Sequence, residues 1–292
     1  MQTSYKSLLA IAVTVSLGIF TGACNKPSVI TLPSEGTIYM PQAFSTNGQI
    51  TLLLLDTPQA VVFGAAYGGL KYPSTDITAT FKVDTNAIAA YNQQYGTSYI
   101  AFPPSSYTVP ALTTTIKPGQ TSSAPLTVNF TTTHLNPNGQ YILPITMTGI
   151  SSGIFDSSLS TTYFTITKLL NIYDGSYTTN GTRYNFNADG SAAGTDTISD
   201  TRVLTTMSAD SCSINTIANL GSFNGTLFYI RVNPDNTCEF SGALQANPAS
   251  PITNQPGKTS TYDPVTKIFT VHYMYTNTSG TYRYMDEVWI PQ

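Results

Sequence analysis

The chain has 292 residues and a formal net charge of −3, and only 9% of its residues are charged. This balance argues against nucleic acid as a partner, because phosphate binding requires a basic surface. Because so few residues are charged, the surface must be solvated mainly by hydroxyl and amide groups. Such a surface is typical of an exported β protein and unlike that of most cytosolic enzymes.

The N-terminus has the features of an export signal. Lys6 precedes an apolar run over residues 8–20, and the small residues of "TGAC" follow. This end resembles the bacterial lipobox, which implies that Cys24 is lipidated and becomes the first residue of the mature chain; an ordinary secretory signal is the alternative. The order of features predicts a lipoprotein signal peptide over residues 1–23 and a linker over 24–36.

Short β-rich runs alternate with turn residues from Thr37 onward, for example "ITLLLL", "DITATFKV" and "YILPITM". This spacing predicts an antiparallel sandwich over residues 37–170. One segment has helical signals, because Asp84 can cap and Gly96 supplies a left-handed stop. Three tyrosines on or just after that helix are predicted to fasten it to the sandwich as core residues: Tyr91, Tyr95 and Tyr99.

The stretches "FKVDTNAIAAYNQQYGTSYIAFPPSSYTV", "IKPGQTSSAPLTVNF" and "YILPITMTGI" resemble the N-terminal immunoglobulin-like domain of unknown function in Bacteroidetes lipoproteins of glycan-utilisation loci. The resemblance spans about residues 37–168. It implies an outer-membrane lipoprotein, on the cell surface or on the periplasmic face, that works beside a transporter or glycosidase. Lys26 follows the cysteine where surface-exported relatives carry acidic residues, so both faces stay open.

The second half, residues 171–292, begins at "YDGSY" and continues as a run of strands. It is predicted to be a separate antiparallel β-domain, barrel-like or a sandwich. Cys212 and Cys238 form an even pair in an oxidising compartment, so they are either a disulfide or two buried thiols. The fold class is therefore all-β, with an immunoglobulin-like sandwich carrying one short helix, then the C-terminal β-domain.

No catalytic machinery is visible in the sequence. A glycosidase needs two carboxylates at a defined separation, and the three glutamates are isolated from one another. The segment "NFNADGSAAGTD" places Asn185, Asp189 and Asp196 at positions of a calcium loop, but a hairpin turn at "NADG" explains the same residues. We expect no metal, no cofactor and no enzymatic activity.

The last hairpin carries the predicted ligand site. A turn over residues 277–280 would pair Tyr275 with Tyr282 and turn the aromatic face of the hairpin toward the core. The other face would then present a sugar-binding cluster around the lone tryptophan, beside groups that bond hydroxyls. Its predicted members are Trp289, Arg283, Glu287 and His272.

The sequence therefore predicts a lipid-anchored, non-catalytic protein that binds an extracellular glycan or polysaccharide. The alternative is a surface adhesion or structural protein whose partner is another protein.

Overall fold

The computed structural model describes residues 36–44, 48–218, 227–244 and 247–292. The predicted signal peptide, Cys24 and the linker to residue 35 lie outside the described residues. The described chain is all-β, with one α-helix, α1 (Ala87–Tyr95), and short 3-10 turns at Pro41–Ala43, Pro104–Ser106 and Ser157–Leu159. No described helix has the length and apolar character needed to span a membrane.

The first half is a β-sandwich. One sheet has the strand order β2-β12-β10-β5-β8 with β6 beside β10, and two three-stranded sheets, β3-β9-β7 and β11-β1-β4, contribute to the same core. Its strands are β1 (Thr37–Tyr39), β2 (Gln49–Leu53), β3 (Gln59–Phe63), β4 (Ala66–Gly68), β5 (Ile77–Val83), β6 (Ile100–Ala101), β7 (Tyr107–Thr108), β8 (Thr113–Ile116), β9 (Leu126–Phe130), β10 (Tyr141–Ile150), β11 (Ile154–Phe155) and β12 (Thr161–Leu170).

Alternation of apolar and polar residues builds this sandwich. On β9 the pattern Leu-Thr-Val-Asn-Phe buries every second side chain, as expected for a strand with one face on a core. Phe63 on β3 meets Phe81 on β5 with ring centroids 5.3 Å apart, which joins two of the sheets. The pairs β1–β11, β2–β12 and β6–β10 are parallel, so the sandwich is not purely antiparallel as predicted.

The second half is a closed eight-stranded antiparallel barrel. The ring runs β13-β14-β15-β16-β17-β20-β21-β22 and returns to β13, while β18 pairs with β17 and β19 with β21. Its strands are β13 (Gly175–Phe186), β14 (Ala192–Thr206), β15 (Ser211–Ile214), β16 (Leu227–Val232), β17 (Thr237–Leu244), β18 (Asn247–Pro251), β19 (Thr253–Asn254), β20 (Ser260–Asp263), β21 (Ile268–Thr276) and β22 (Tyr282–Pro291). Closure pairs the strand edges that a sandwich would leave open.

Asn171 links the two halves. It is buried in the connection between β12 and β13, where its backbone N–H donates to Thr206 Oγ1 (3.0 Å) and its side-chain amide donates to the carbonyls of Ser208 (2.8 Å) and Ser211 (2.9 Å). Each half has its own cluster of buried apolar residues. The connection is therefore held by hydrogen bonds to the barrel.

Helix α1 lies on the sandwich surface and has no buried residue. Gly96 ends it with a left-handed φ of 64°, as the sequence predicts. Asp84 is not the cap: its carboxylate pairs with Lys82 (3.0 Å), and Asn86 occupies the N-cap position without a side-chain bond. The Asp84 carboxylate that was predicted to cap the helix therefore pairs with a lysine of the preceding strand, β5.

Asn92 holds the return from the helix to the sheet. Its Nδ2 donates to the carbonyl of Tyr99 (2.8 Å), and its Oδ1 accepts from Tyr99 N (3.0 Å) and from Thr97 Oγ1 (2.8 Å). The "YN" and "GTSY" elements of the sequence therefore have a physical role, since one amide pairs with both backbone groups of Tyr99.

Candidate functional site

The ligand site predicted on the last hairpin is wrong in register and in face. Thr276 pairs with Tyr282, so the turn is longer than predicted by one residue and Tyr275 faces Arg283. Asn277 stabilises the longer loop by accepting hydrogen bonds from Ser279 and Thr281, and Gly280 takes a left-handed φ of 76°. A shift of one residue sends a strand's side chains to the opposite face relative to its partner.

Trp289 and Glu287 consequently point into the barrel. The indole is 0% exposed and packs between the rings of Phe240 and Phe269, so it cannot stack on a sugar. Its Nε1 donates to Glu287 Oε2 at 2.6 Å. Trp289 is a core residue, as are its inward-facing neighbours on β22.

Glu287 belongs to a buried polar network centred on Arg202, whose side chain is fully buried. Arg202 Nη2 reaches both carboxylate oxygens of Glu287 at 3.2 Å and the carbonyl of Ala218 at 2.6 Å, while Nη1 contacts Asp200 and Thr216. Burial opposes the charge of Arg202, but Glu287 holds the Arg202 pKa above its ordinary value. The network ties residues 216–218, which follow β15, to the inside of the barrel.

His272 lies on the outer face of the barrel, away from Trp289. Its Nδ1 lies 2.7 Å from Asp286 Oδ1, and Lys258 Nζ contacts the other oxygen of Asp286 at 2.5 Å. Arg283 is on the same inward-facing side of β22 as Trp289, but it lies at the rim of the barrel. There its Nη1 donates to the carbonyls of Phe186 and Tyr282. The four predicted site residues thus do not converge.

Cys212 and Cys238 are free, buried thiols, so of the two alternatives the disulfide is the wrong one. They lie on β15 and β17, with β16 between them, which separates their Cα atoms by about 10 Å. A disulfide requires less than about 7 Å. Burial raises the pKa of each thiol to about 12, which keeps both protonated and unreactive.

The calcium-loop residues form the β13–β14 hairpin, as the turn interpretation predicts. Asp189 accepts from the backbone and hydroxyl of Ser191 within the turn, and Asp196 accepts from Arg183 and Asn185 on the neighbouring strand. Both carboxylates therefore bind protein donors. Among the described residues, no three Asp, Glu, His or Cys side chains are grouped to hold a metal ion.

A groove on the outer surface of the sandwich is the candidate site that the sequence does not predict. It lies between α1, β12 and the chain around Pro41–Ala43, and its volume is about 470 Å³, within the range of small-molecule sites. We call it the aromatic groove. Its lining combines rings, amides and hydroxyls from Gln42, Ala43, Phe44, Gly48, Gln49, Tyr91, Gln94, Tyr95, Ser157, Ser158, Thr161, Tyr163 and Thr165.

Stacked tyrosines form one wall of the aromatic groove. Tyr91 packs on Tyr163 of β12 with ring centroids 4.5 Å apart, and on its helical neighbour Tyr95 at 4.6 Å. Tyr91 thus fastens the helix to the sheet as predicted, and Tyr99 packs on Tyr91 at 5.9 Å, but both are only partly buried and are not core residues. Tyr95 does not fasten the helix, because 56% of it is exposed, and Phe44 across the groove is 51% exposed. Two aromatic faces are therefore open to a ligand.

The aromatic groove carries no charge on any of the described lining residues. Burial, and then neighbouring tyrosines for Tyr91 and Asp84 for Tyr163, raise the pKa of both phenols, so they remain neutral donors and acceptors at physiological pH. Gln42 adds an unused acceptor, since its Oε1 is buried without a hydrogen-bond partner in the described structure. This surface can stack on an apolar face and exchange hydrogen bonds with hydroxyls.

Sequence reasoning missed the aromatic groove because its parts come from distant segments. The lining residues of α1 lie about seventy positions from those of β12, and only the fold brings them together. The sequence did offer one signal, which is that the tyrosine-rich stretch of α1 carries no charge. In the structure α1 has no buried face, so these tyrosines lie at the surface of the sandwich and not in an apolar core.

Two family models match the chain, one for an N-terminal domain over residues 33–154 and its C-terminal counterpart over residues 164–288. A Bacteroides ovatus protein of unknown function, solved by structural genomics, has a TM-score of 0.63 and 14% identity, covering 88% of this chain and 95% of its own. The chain carries a Bacteroides-type domain pair.

Other solved structures resemble the domain pair less closely. A protein from Bacteroides ovatus described as a proposed carbohydrate binding protein has a TM-score of 0.39 and 14% identity, covering 86% of this chain and 79% of its own. EndoBT-3987 of Bacteroides thetaiotamicron, crystallised with a Man5GlcNAc product, has a TM-score of 0.36 and 18% identity, covering 45% of this chain and 30% of its own. No curated protein matches the sequence.

Proposed function

We propose that this domain pair is a lipid-anchored, non-catalytic protein that binds an extracellular glycan in the aromatic groove. The observation that carries the proposal is the composition of that groove: exposed rings beside amides and hydroxyls, with no charge on the described lining. Sugar rings have apolar C–H faces and hydroxyl edges, so they match both kinds of surface.

The geometry favours a glycan over an apolar metabolite. Tyr95 and Phe44 offer faces at the groove's opening, while Gln49 and Gln94 supply amides along it. An apolar ligand would leave these amides without partners, which costs free energy. A glycan satisfies them with its hydroxyls.

The same composition supports binding without hydrolysis. A glycosidase needs an acid and a second carboxylate on either side of the scissile bond. Asp156, next in sequence to a lining residue, is held by the backbone and hydroxyl of Ser158 at 2.9 and 2.6 Å. The Ser158 hydroxyl lowers the pKa of Asp156, so this carboxylate stays ionised and is a poor general acid.

Binding to a panel of polysaccharides tests this function. We expect one or more neutral polysaccharides to retard the protein in affinity electrophoresis, with no reducing sugar released on prolonged incubation. Released sugar would overturn the non-catalytic assignment. Retardation by no polysaccharide, together with binding to a purified cell-surface protein, would favour the adhesion alternative.

The anchor is proposed from the resemblance of "TGAC" to a lipobox, and it implies a location in the outer membrane beside a transporter or glycosidase of the same system. Several acyl chains on Cys24 would hold the protein stably, because each buried methylene contributes about 0.8 kcal/mol. We expect Cys24→Ser to move the protein from the membrane fraction to the soluble fraction. Unchanged partition would contradict the anchor.

A further inference from the structure

A cluster of polar side chains, separate from the aromatic groove, lies at the rim of the barrel near the tips of the β13–β14 and β21–β22 hairpins. Four side chains occupy inward-facing positions of neighbouring strands there: Asn185 faces Arg283 across β13 and β22, and Arg283 faces Tyr275 across β21. Arg183 lies two positions before Asn185 on the same face of β13. We call this cluster the barrel mouth.

Charge at the barrel mouth is unbalanced. Arg183 pairs with Asp196 through two bonds of 2.7 and 3.1 Å, and Asn185 donates to the same carboxylate oxygen at 2.7 Å. Arg283 forms no ion pair with a described residue. It is held instead by the carbonyls of Tyr282 (2.8 Å) and Phe186 (3.3 Å), both accepting from Nη1.

The guanidinium of Arg283 is therefore fixed in place with unused donors. A guanidinium has five N–H groups, and no described residue accepts from Nε or Nη2 of Arg283. In a protein whose net charge is −3, this half-buried cation without an ion pair at the end of the barrel is a candidate for binding an anion.

Two further polar atoms at the barrel mouth lack partners. Asn185 Oδ1 and Thr281 Oγ1 are buried and have no hydrogen bond in the described structure. Asn185 is the cross-strand partner of Arg283, and Thr281 lies in the hairpin loop two residues before it. Buried polar groups without partners are rare, and here two of them belong to residues that neighbour the unpaired charge.

We propose that the barrel mouth binds a sugar acid, with Arg283 holding the carboxylate and Asn185 Oδ1 accepting from a neighbouring hydroxyl. A guanidinium matches a planar carboxylate through two parallel N–H bonds. The adjacent amide oxygen and hydroxyl select a ligand that carries hydroxyls near its acid group, which is the arrangement in uronic acids. This site is separate from the aromatic groove and independent of the function proposed for it.

Calorimetry on the full chain with D-glucuronate and D-galacturonate, against D-glucose, D-galactose and sulfate, tests the site. We expect a uronate to bind at millimolar concentration, the neutral sugars not to bind at the barrel mouth, and sulfate to bind more weakly. Arg283→Gln should reduce uronate affinity at least about tenfold, since it removes the charge-assisted pair. Arg283→Lys should lose part of the affinity, because a compact ammonium replaces the planar guanidinium and cannot form its two parallel N–H bonds to the carboxylate.

Arg231→Gln is the matched control, because Arg231 is an exposed barrel arginine paired with Asp210. It should leave uronate binding unchanged, and thermal melts should show that Arg283→Gln is folded. Absence of uronate binding, or equal losses in the two variants, would overturn the proposal. Equal affinity for sulfate and uronate would overturn the sugar-acid assignment. Tyr95→Ala, which alters only the aromatic groove, should leave uronate binding intact.

Discussion

Individual residues of the barrel core show how polar groups are tolerated inside an apolar cluster. Tyr273 Oη donates to Glu287 Oε1 at 2.7 Å and accepts from Ala218 N at 3.0 Å. Burial and the Glu287 carboxylate raise the Tyr273 pKa well above its ordinary value, so the phenol stays protonated. The Glu287 carboxylate is compensated by donors from Tyr273 and Trp289 as well as from Arg202. On the other side of the ion pair, Arg202 Nε is buried without a hydrogen-bond partner in the described structure, so the compensation is incomplete.

Trp289→Ala is expected to destabilise the barrel by about 3–5 kcal/mol, because it removes a large buried side chain and leaves a cavity. It also removes the donor to Glu287 Oε2. Urea denaturation followed by far-UV circular dichroism measures the loss.

Val288→Ala is the control, since Val288 is the next residue on β22 and faces outward with 38% exposed. It should cost no more than about 0.5 kcal/mol. Equal midpoints for Trp289→Ala and the wild type would show that the indole is not part of the core.

At the scale of elements, turns decided which predictions succeeded. The hairpin at "NADG" and the helix stop at Gly96 were predictable, because both depend on local chemistry. The β21–β22 register was not, because Asn277 organises a loop one residue longer than the simplest turn. That single residue moved Trp289 from a proposed surface to the core.

Asn92→Ala should destabilise the sandwich by about 1–3 kcal/mol, since it leaves the N–H and the carbonyl of Tyr99 without their partners. Gln93→Ala is the control, because Gln93 is exposed on the same helix. Thermal melts of the two variants measure the difference. Equal melting temperatures would contradict the role given to Asn92.

At the scale of the whole molecule, the sequence predicted an all-β chain with one helix and a C-terminal antiparallel domain, and it left open barrel or sandwich. Closure of the barrel depends on the pairing of its first strand, β13, with its last strand, β22, which no local pattern shows. The aromatic groove was equally hidden, since α1 and β12 meet only after folding. Local signals therefore identified elements, while pairing between distant strands decided the sites.

Glycan binding in the aromatic groove is tested by calorimetric titration of Tyr95→Ala with the polysaccharide or oligosaccharide selected by the panel. Binding should weaken by about 1–3 kcal/mol, as expected when one aromatic anchor is lost. Tyr95→Phe should retain most of the affinity, because the ring is kept. Tyr72→Ala is the matched control, since this tyrosine is 67% exposed and lies outside the groove. Wild-type affinity in a folded Tyr95→Ala variant would show that the glycan binds elsewhere.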